Sequence, residues 1–335
     1  MILVTGATGL LGSHLVLHLI ENGSKVRAIY RSSDSLEKTK SLFKGYQKEN
    51  LFDKIEWVEA DITEIPALEL AFKKIRQVYH CAALISFDPA EENQLRKINI
   101  EGTANIINFS IAYQIEKLCY VSSIAALGDL KEFENTVTED TEWNPEKHHS
   151  DYAISKFGAE MEIWRGQQEG LPVAVLNPGV ILGPGFWNQG SGAIFSSVAN
   201  GLAFYTKGTT GFVAVTDVVQ LLVLLMNSEI NGERYIAIAE NNNYRDILNT
   251  IATHLNVKEP KYHASILMTE IAWRIDWLLT HLLKRKRKFS KETARAAHVK
   301  HPYSNEKVKA TFQYNFRDIK EYIAEIIEIQ AAMSK

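Results

Sequence analysis

Short apolar runs rich in Val and Ile alternate, up to Pro178, with longer segments whose apolar positions recur at helical spacing. This alternation is typical of a parallel sheet covered by helices on both faces, because its strands are buried on both sides. The pattern predicts strands at Ile2–Thr5, Lys25–Tyr30, Ile55–Glu59, Gln77–Cys81, Leu118–Ser122 and Val173–Asn177. It predicts helices near Leu11–Glu21, Ser35–Lys44, Ala67–Lys74, Ala90–Tyr113 and Asp151–Glu169. We therefore expect an α/β fold with a doubly wound parallel sheet.

After Pro178 the pattern changes to Gly-rich loops, then to mixed short elements, and it ends in a helical segment from Phe316 to Met333. We expect a first domain over residues 1–178 and a smaller mixed C-terminal lobe over residues 179–335. A strand near Glu233–Ala239 is expected to return to the main sheet, so the two parts would interleave.

Composition narrows the class of protein. Of 335 residues, 46% are hydrophobic and 23% are charged, as in ordinary globular proteins, and the formal net charge of -3 gives no electrostatic preference for nucleic acid. The first predicted strand begins at Ile2, which leaves no room for a secretory leader, so a cytoplasmic protein is expected. The histidines are scattered without ligand spacing, and we predict no metal site.

A glycine-rich loop joins the first predicted strand to the first predicted helix. It reads Thr5-Gly6-Ala7-Thr8-Gly9-Leu10-Leu11-Gly12. Gly6 permits the sharp turn, Gly9 lets the backbone approach a pyrophosphate, and Gly12 lets helix and sheet pack closely. Phosphates would then lie at a helix N-terminus, which favours negative charge. The loop predicts a dinucleotide site of the Rossmann type, with contacts from Gly6, Thr8, Gly9, Leu10, Leu11 and Gly12.

The residue at the end of the second strand indicates which dinucleotide binds. An acidic side chain there would accept a hydrogen bond from a ribose 2′-hydroxyl, but this chain has Arg31 followed by two serines. A guanidinium suits a 2′-phosphate, so NADP is favoured over NAD. Lys38 would add a second positive charge, or be a solvated surface lysine. Asp61 and Ile62 are placed to contact the adenine, although Asp61 would equally cap a turn.

Candidate catalytic residues follow the fifth strand. That strand leads into Ser122-Ser123, and Tyr152 and Lys156 lie inside a predicted helix. A spacing of four places Tyr152 and Lys156 on one helical face. A phenol of pKa about 10 relays protons poorly at neutral pH, and a neighbouring ammonium lowers that pKa. We therefore predict Tyr152 as the acid/base, Lys156 as its activator and Ser123 as the donor to the reacting oxygen.

The Tyr-x-x-x-Lys pattern alone is weak evidence, because the sequence contains it three times. Tyr113…Lys117 runs from a helix end into a strand, and Tyr303…Lys307 lies far along the chain from the glycine loop. Only Tyr152…Lys156 lies between the Ser-Ser strand end and the sixth strand. We therefore choose the middle pair.

Further motifs accompany these along nearly the whole chain: His80-Cys81-Ala82-Ala83, Asn99-x-x-Gly102-Thr103, Thr138-Glu139-Asp140 and Asn177-Pro178-Gly179. Together the motifs resemble the extended short-chain dehydrogenase/reductase superfamily of NAD-dependent epimerases and dehydratases. Arg31, Lys38 and the Asn-Pro-Gly segment look most like its dihydroflavonol-4-reductase and 3β-hydroxysteroid-dehydrogenase-like branch.

The resemblance implies further contacts and a partner. Residues implied to contact the cofactor are Ala82, Ala83, Asn99, Ser122, Tyr152, Lys156, Pro178, Gly179 and Val180. It also implies a homodimer paired through the helices Ala90–Tyr113 and Asp151–Glu169.

The function expected is an NADP(H)-dependent oxidoreductase that reduces a ketone or aldehyde, or runs in reverse. One alternative is a nucleotide-sugar epimerase or dehydratase that retains its cofactor. Many such enzymes carry Arg immediately before the Pro of this segment, whereas this chain has Asn177. This difference makes the epimerase or dehydratase alternative less favoured. A second alternative is a non-catalytic NAD(P)-binding sensor, against which the intact Ser123, Tyr152 and Lys156 argue.

The segment 266–288 stands apart from these motifs. Residues 266–283 are apolar and aromatic, and five consecutive cations follow at 284–288. One hypothesis is peripheral contact with an anionic membrane surface. The other is a helix that covers the substrate cleft, followed by a solvated charged turn.

Overall fold

The structure is a computed structural model that describes residues 1–283, 285, 287 and 289–333. In chain order its strands are β1 (Ile2–Thr5), β2 (Val26–Tyr30), β3 (Glu56–Glu59), β4 (Gln77–His80), β5 (Lys117–Val121), β6 (Val173–Pro178), β7 (Val180–Leu182), β8 (Phe204–Tyr205), β9 (Thr209–Ala214), β10 (Glu233–Ala237), β11 (Glu240–Asn243) and β12 (Tyr262–His263). Seven of these form one parallel sheet in the order β10-β6-β5-β4-β1-β2-β3.

The helices cover both faces of this sheet. They are α1 (Leu10–Glu21), α2 (Ser33–Gly45), α3 (Ile65–Phe72), α4 (Glu92–Leu95), α5 (Gly102–Ala112), α6 (Asp151–Gln168), α7 (Gly192–Ala199), α8 (Val215–Asn227), α9 (Tyr244–His254), α10 (Ile266–Leu283), α11 (Lys291–Ala296), α12 (Glu306–Phe312) and α13 (Ile319–Met333). The predicted helix Ala90–Tyr113 is interrupted, because a π-helical stretch, Arg96–Glu101, separates α4 from α5.

The strand order confirms the predicted doubly wound α/β fold. β1 pairs with β2 on one side and with β4 on the other, so the order of the strands reverses at β1. A crevice opens beyond the carboxyl ends of the strands at such a reversal, and ligands of open α/β sheets bind there. The fold therefore places the ends of β1 and β4 at the centre of a candidate site.

Buried side chains fill both faces of the sheet. On one face Leu15 of α1 and Leu222 of α8 belong to the same core and are fully buried. On the other face Ile106 of α5 and Ile163 of α6 lie against Val175 of β6. Burial on both faces explains the continuous apolar runs seen in the strand sequences.

Chain beyond β6 both completes the sheet and covers its carboxyl side. β10 pairs in parallel with β6 at the sheet edge, while β11-β9-β7 and β12-β8 form two smaller sheets. The proposed division into residues 1–178 and 179–335 stays a prediction, and its last two residues lie outside the described part. Across the part of the chain that the structure describes, every helix is too short or too polar to cross a membrane.

Candidate active site

One cleft of about 2020 Å³ runs along the carboxyl ends of the central strands. We call the part formed by the loops after β1, β2 and β3 its nucleotide end, and the part formed by the loop after β4 and by chain beyond β6 its substrate end. Nearly all the residues predicted from the sequence line it: Gly6, Thr8, Gly9, Leu10, Leu11, Gly12, Arg31, Lys38, Asp61, Ile62, Ala82, Ala83, Ser122, Ser123, Tyr152, Lys156, Pro178, Gly179 and Val180.

The glycine loop forms a cradle that side chains would fill. Gly6 has a φ of +65°, and a Cβ there would lie 2.6 Å from the backbone nitrogen of Ala82. A Cβ on Gly12 would lie 2.1 Å from the carbonyl oxygen of Gly6. Gly9 caps α1 without a side-chain hydrogen bond, so the N-terminus of that helix is open to the cleft. The loop therefore fits a dinucleotide diphosphate.

Cationic side chains lie at the nucleotide end. The Arg31 side chain is 63% exposed and lies 3.7 Å from a carboxylate oxygen of Asp61. Burial raises the pKa of Asp61, but hydrogen bonds from Thr63 and the charge of Arg31 outweigh it, and the net pKa is lowered. Lys38 lies exposed in α2 and also lines the cleft. Asp34, in the first turn of α2, adds a carboxylate to the same part of the cleft. The sequence motifs did not indicate this residue.

The phenol and the hydroxyl of the predicted catalytic group meet. Ser150 caps α6 by accepting a hydrogen bond from Ala153 N at 3.2 Å, and this fixes the start of the helix that carries Tyr152. Ser123, just beyond β5, lies beside the Tyr152 side chain, and both residues line the cleft. Burial raises the pKa of Tyr152 to about 12, and the nearby Ser123 hydroxyl opposes this rise.

The amine of Lys156 is directed at β5. Its Nζ donates to Tyr120 Oη at 2.7 Å and to the carbonyl oxygen of Val121 at 2.8 Å, and it lies 4.4 Å from the centre of the Tyr120 ring. Burial lowers the pKa of Lys156 to about 7, while the nearby carboxylate of Glu160 raises it. The amine is thus held by the strand, one helical turn from the Tyr152 backbone.

A chain of buried polar side chains lies behind this amine, and the sequence motifs alone indicated no role for it. His80 Nδ1 lies 2.7 Å from Thr5 Oγ1, and His80 Nε2 lies 3.0 Å from Thr103 Oγ1. Burial lowers the pKa of His80 to about 3, so the ring is neutral. Thr5 Oγ1 also accepts from Ala82 N at 3.1 Å, which ties the end of β1 to the loop after β4. The sequence signals were the position of His80 at a strand end and the motifs that contain His80 and Thr103, and neither reveals the hydrogen bond between them.

Asn99 is placed differently from the other predicted residues. It is buried behind the cleft wall, and its amide accepts from Leu84 N at 2.7 Å and donates to Leu84 O at 2.9 Å. The same Nδ2 donates to Ser155 Oγ at 2.9 Å. Asn99 therefore fastens the loop after β4 to α6, the helix that carries Tyr152.

Asn177, where many sugar-nucleotide enzymes carry Arg, is fully buried. Its Nδ2 donates to the carbonyl oxygen of Ser123 at 3.0 Å and to Glu160 Oε1 at 2.6 Å. Arg234 from β10 lies 3.4 Å from the other oxygen of Glu160. Asn177 thus holds the backbone at Ser123, and β10 supplies charge to the same network.

The two rejected Tyr-x-x-x-Lys pairs are separated in space. Lys117 is buried in β5 and donates to Leu225 O and Ser228 O at 2.6 Å each, away from Tyr113 at the end of α5. Lys307 lies in α12 and pairs with Glu233. Tyr303, however, lines the cleft, which the sequence argument did not foresee.

The substrate end is lined by aromatic and apolar side chains from separate loops and helices. The Phe87 ring centre lies 5.5 Å from that of Tyr152. Further apolar residues at this end are Phe186, Leu202, Phe204, Tyr205, Met268, Ala272, Phe289 and Tyr303. The sequence analysis offered the 266–283 helix, which contains Met268 and Ala272, as a cover of the substrate cleft, but it singled out none of these residues, because they share no motif and come together only through the fold.

Comparisons with known proteins show the family and the fold of the chain. The sequence profile of the "NAD dependent epimerase/dehydratase family" matches residues 2–238. Sterol demethylase protein B of Methylococcus capsulatus is 28% identical over 71% of this chain and 69% of its own length. A putative dihydroflavonol 4-reductase of Synechocystis is 28% identical over 77% of this chain and 73% of its own. The UDP-glucose 4-epimerase of Thermotoga maritima, solved with UDP-glucose, superposes with a TM-score of 0.78 at 21% identity over 100% and 99% of the two chains.

Proposed function

Because the chain belongs to the NAD dependent epimerase/dehydratase family, whose members are extended short-chain dehydrogenase/reductase enzymes, we propose that it is an NADP(H)-dependent reductase. Its substrate would be a ketone or aldehyde, and the reverse reaction would oxidise the alcohol. The observation that carries the proposal is the position of Ser123 beside the Tyr152 side chain inside the cleft. Both polar groups can address one oxygen atom between the glycine loop and the apolar end.

The residues present fit a dinucleotide. Gly6, Gly9 and Gly12 would hold the diphosphate, Ala82 and Ala83 would contact the ribose and diphosphate, and residues 178–180 would face the nicotinamide. When bound, the cofactor supplies or accepts the hydride. These contacts are supported by the position of every one of these residues along the same cleft.

The protein's own groups would handle the proton and the developing charge. Because burial raises the pKa of Tyr152 to about 12, its phenol carries a proton at neutral pH and is suited to donate it to a carbonyl oxygen. Ser123 would donate a hydrogen bond to that oxygen, and the Lys156 ammonium would stabilise the phenolate left behind. In the oxidising direction Tyr152 would take the alcohol proton.

The preference for NADP over NAD belongs to the same proposal. Arg31 presents a largely exposed guanidinium to the nucleotide end, and Lys38 lines the same region. A 2′-phosphate would form charge-assisted hydrogen bonds with the Arg31 guanidinium. Among the described residues of α2 that line the cleft, Asp34 is the one carboxylate, and its negative charge disfavours a 2′-phosphate.

The substrate end favours a small or moderately hydrophobic carbonyl compound. Phe87, Phe186 and Phe204 contribute rings there, and apolar pockets of this kind bind substrates chiefly by burying their surface. The relatives named sterol demethylase protein B and dihydroflavonol 4-reductase are consistent with such substrates.

The superposition on UDP-glucose 4-epimerase, at 21% identity, shows the fold alone and therefore does not favour the epimerase/dehydratase alternative over a reductase. Asn177 is buried and bonded to Ser123 and Glu160, so it offers no charged group to a nucleotide sugar. A homodimer paired through α5 and α6 remains part of the proposal. A non-catalytic sensor is disfavoured by the position of Ser123, Tyr152 and Lys156 along one cleft.

NADPH oxidation, followed by absorbance against a panel of aldehydes and ketones, tests the proposal. We expect consumption with hydrophobic carbonyls, whereas an epimerase would consume none with any sugar nucleotide. Tyr152→Phe should lower kcat by about 10²- to 10⁴-fold with unchanged NADPH affinity, because only the transferable proton is removed. The matched control is Tyr303→Phe, which alters a phenol at the same cleft outside the proposed proton path. Full turnover by Tyr152→Phe would contradict the mechanism.

A further inference from the structure

Helix α10 has the reverse polarity of an ordinary surface helix. Its buried residues are Thr269 and Asp276, both polar. Thr269 Oγ1 lies 2.9 Å from His298 Nε2, and Asp276 accepts from Arg285 at 2.5 Å and from Phe289 N at 3.1 Å. The polar side of α10 is therefore the side that faces the protein.

The opposite side of α10 is apolar and exposed. At about 3.6 residues per turn, one set of side chains projects away from the protein. We call this set the outer face of α10: Leu267, Ile271, Ile275, Leu278, Leu279 and Leu282. Each of these residues is at least 37% exposed. A surface helix normally buries such a stripe, and a contiguous exposed apolar patch marks an interaction site.

Charge in the adjoining sequence indicates what the outer face contacts. The five cations at 284–288 follow α10 directly. Arg285 pairs with Asp276, and Arg287 lies 3.8 Å from Asp88, while Lys284, Lys286 and Lys288 lie outside the described residues. A basic run beside an apolar helix face is the pattern that binds anionic bilayers.

The width of the exposed apolar surface also favours a bilayer over a partner helix. Ile266 and Trp277 are exposed on the flank of the outer face, at 65% and 46%. A single partner helix covers a narrow seam, whereas a bilayer accepts apolar side chains over a broad sector. The salt-bridged pair of Glu270 and Arg274, 2.5 Å apart, lies between these two residues and the outer face, so the two charges in this sector neutralise each other.

We propose that the outer face of α10 docks on the surface of an anionic lipid bilayer. The same helix contributes Met268, Thr269 and Ala272 to the cleft wall, where Thr269 is buried and Met268 is 43% exposed. Docking therefore brings the substrate end of the cleft next to the lipid. A hydrophobic substrate dissolved in the bilayer would reach the cleft with little exposure to water.

Vesicle flotation of the full chain tests the proposal without turnover, so its outcome is independent of the proposed reductase activity. The vesicles contain phosphatidylcholine alone or mixed with phosphatidylglycerol. We expect the protein to float with the mixed vesicles and to be released by salt. Ile271→Gln/Ile275→Gln/Leu278→Gln should weaken binding by at least about tenfold, because three apolar side chains no longer enter the lipid.

Two further variants sharpen the result. Ile65→Gln/Leu70→Gln/Phe133→Gln changes exposed apolar residues away from α10 and should bind like the parent chain. Lys284→Gln/Lys286→Gln/Lys288→Gln should lose on the order of 100-fold in affinity for the anionic vesicles only. Thermal unfolding of each variant should match the parent, since the altered apolar side chains are exposed.

Three outcomes would overturn the proposal. The first is a parent chain that floats with neither vesicle composition. The second is equal vesicle binding by the parent and the Ile271→Gln/Ile275→Gln/Leu278→Gln variant. The third is a concentration-dependent dimer, seen by sedimentation, that this variant abolishes in the absence of any vesicle binding, which would assign the face to a second copy of the chain.

Discussion

The two ends of the cleft are built in different ways. At the nucleotide end, backbone geometry at strand ends does most of the positioning, as in the turn at Gly6 with its φ of +65°. At the substrate end, side chains such as Phe87, Phe289 and Tyr303 arrive from distant parts of the chain. The first end depends on local constraints that few residues satisfy, while the second depends on shape and hydrophobicity, which many residue combinations provide.

The largest effect is expected at the glycine loop. Gly12→Ala should lower the free energy of unfolding by about 3 kcal/mol, because the new Cβ would lie 2.1 Å from the Gly6 carbonyl oxygen. Gly9→Ala is the matched comparison, since its Cβ would meet that oxygen at an ordinary 3.4 Å. It should keep the parent stability and lose NADPH affinity. Chemical denaturation and NADPH titration of both variants measure this; equal stabilities would show that the loop tolerates side chains.

Arg31→Ala should act on the nucleotide end alone. Loss of the guanidinium should raise KM for NADPH by about 30-fold, because a charge-assisted hydrogen bond to the 2′-phosphate is lost. KM for NADH and for the carbonyl substrate should stay unchanged. Steady-state kinetics with both cofactors provide the test, with Arg76→Ala, an exposed arginine outside the cleft, as the control. Parallel changes for NADPH and NADH would remove the assigned NADP preference.

Phe87→Ala should act on the other end. The ring lies against Tyr152, so its removal should raise the substrate KM by about tenfold while leaving the NADPH KM unchanged. Phe133→Ala, at a position 80% exposed, is the control and should change neither constant. An altered NADPH KM in Phe87→Ala would show that the two ends are not separable in this way.

Tyr120→Phe removes the hydroxyl that accepts a hydrogen bond from the Lys156 amine. Of these substitutions it should have the smallest effect. Burial already lowers the pKa of Lys156 to about 7, so its ammonium is present below that pH and lost above it. Removing the hydroxyl that accepts from Nζ at 2.7 Å destabilises the ammonium further. The alkaline limb of kcat/KM should therefore move to lower pH by about one unit, or ~1.4 kcal/mol. If the alkaline limb of kcat/KM stayed at the same pH, Tyr120 would contribute only to packing.

The sequence patterns predicted the residues of the nucleotide end well and those of the substrate end poorly, for a physical reason. The sheet strands were predicted within a residue or two, because burial on both faces demands continuous apolar runs. Gly6, Gly9 and Arg31 were recognisable because a strand end fixes where the next residues lie. Asn99 belonged to a motif, but its residue type alone did not reveal that its side-chain amide is hydrogen-bonded to Leu84 and Ser155.

Helix α10 illustrates the limit of periodicity. The sequence shows an apolar segment and cannot say which side faces the protein, because the usual assumption is that the apolar side is buried. Here the buried residues are Thr269 and Asp276, each held by polar partners from later chain. Tyr303 was passed over for a related reason, since distance along the chain from the glycine loop did not predict distance in space.

The placement of β10 has a practical consequence for dissecting this protein. β10 seals the edge of the main sheet beside β6, and its Arg234 joins the polar network around Glu160. A fragment cut after Pro178 would expose the backbone donors and acceptors of β6 and would remove Arg234, the ion-pair partner of the buried Glu160. Unpaired edges of that kind recruit other strands. Studies of nucleotide binding by this chain should therefore use the uncut polypeptide, because an isolated amino-terminal half is expected to aggregate.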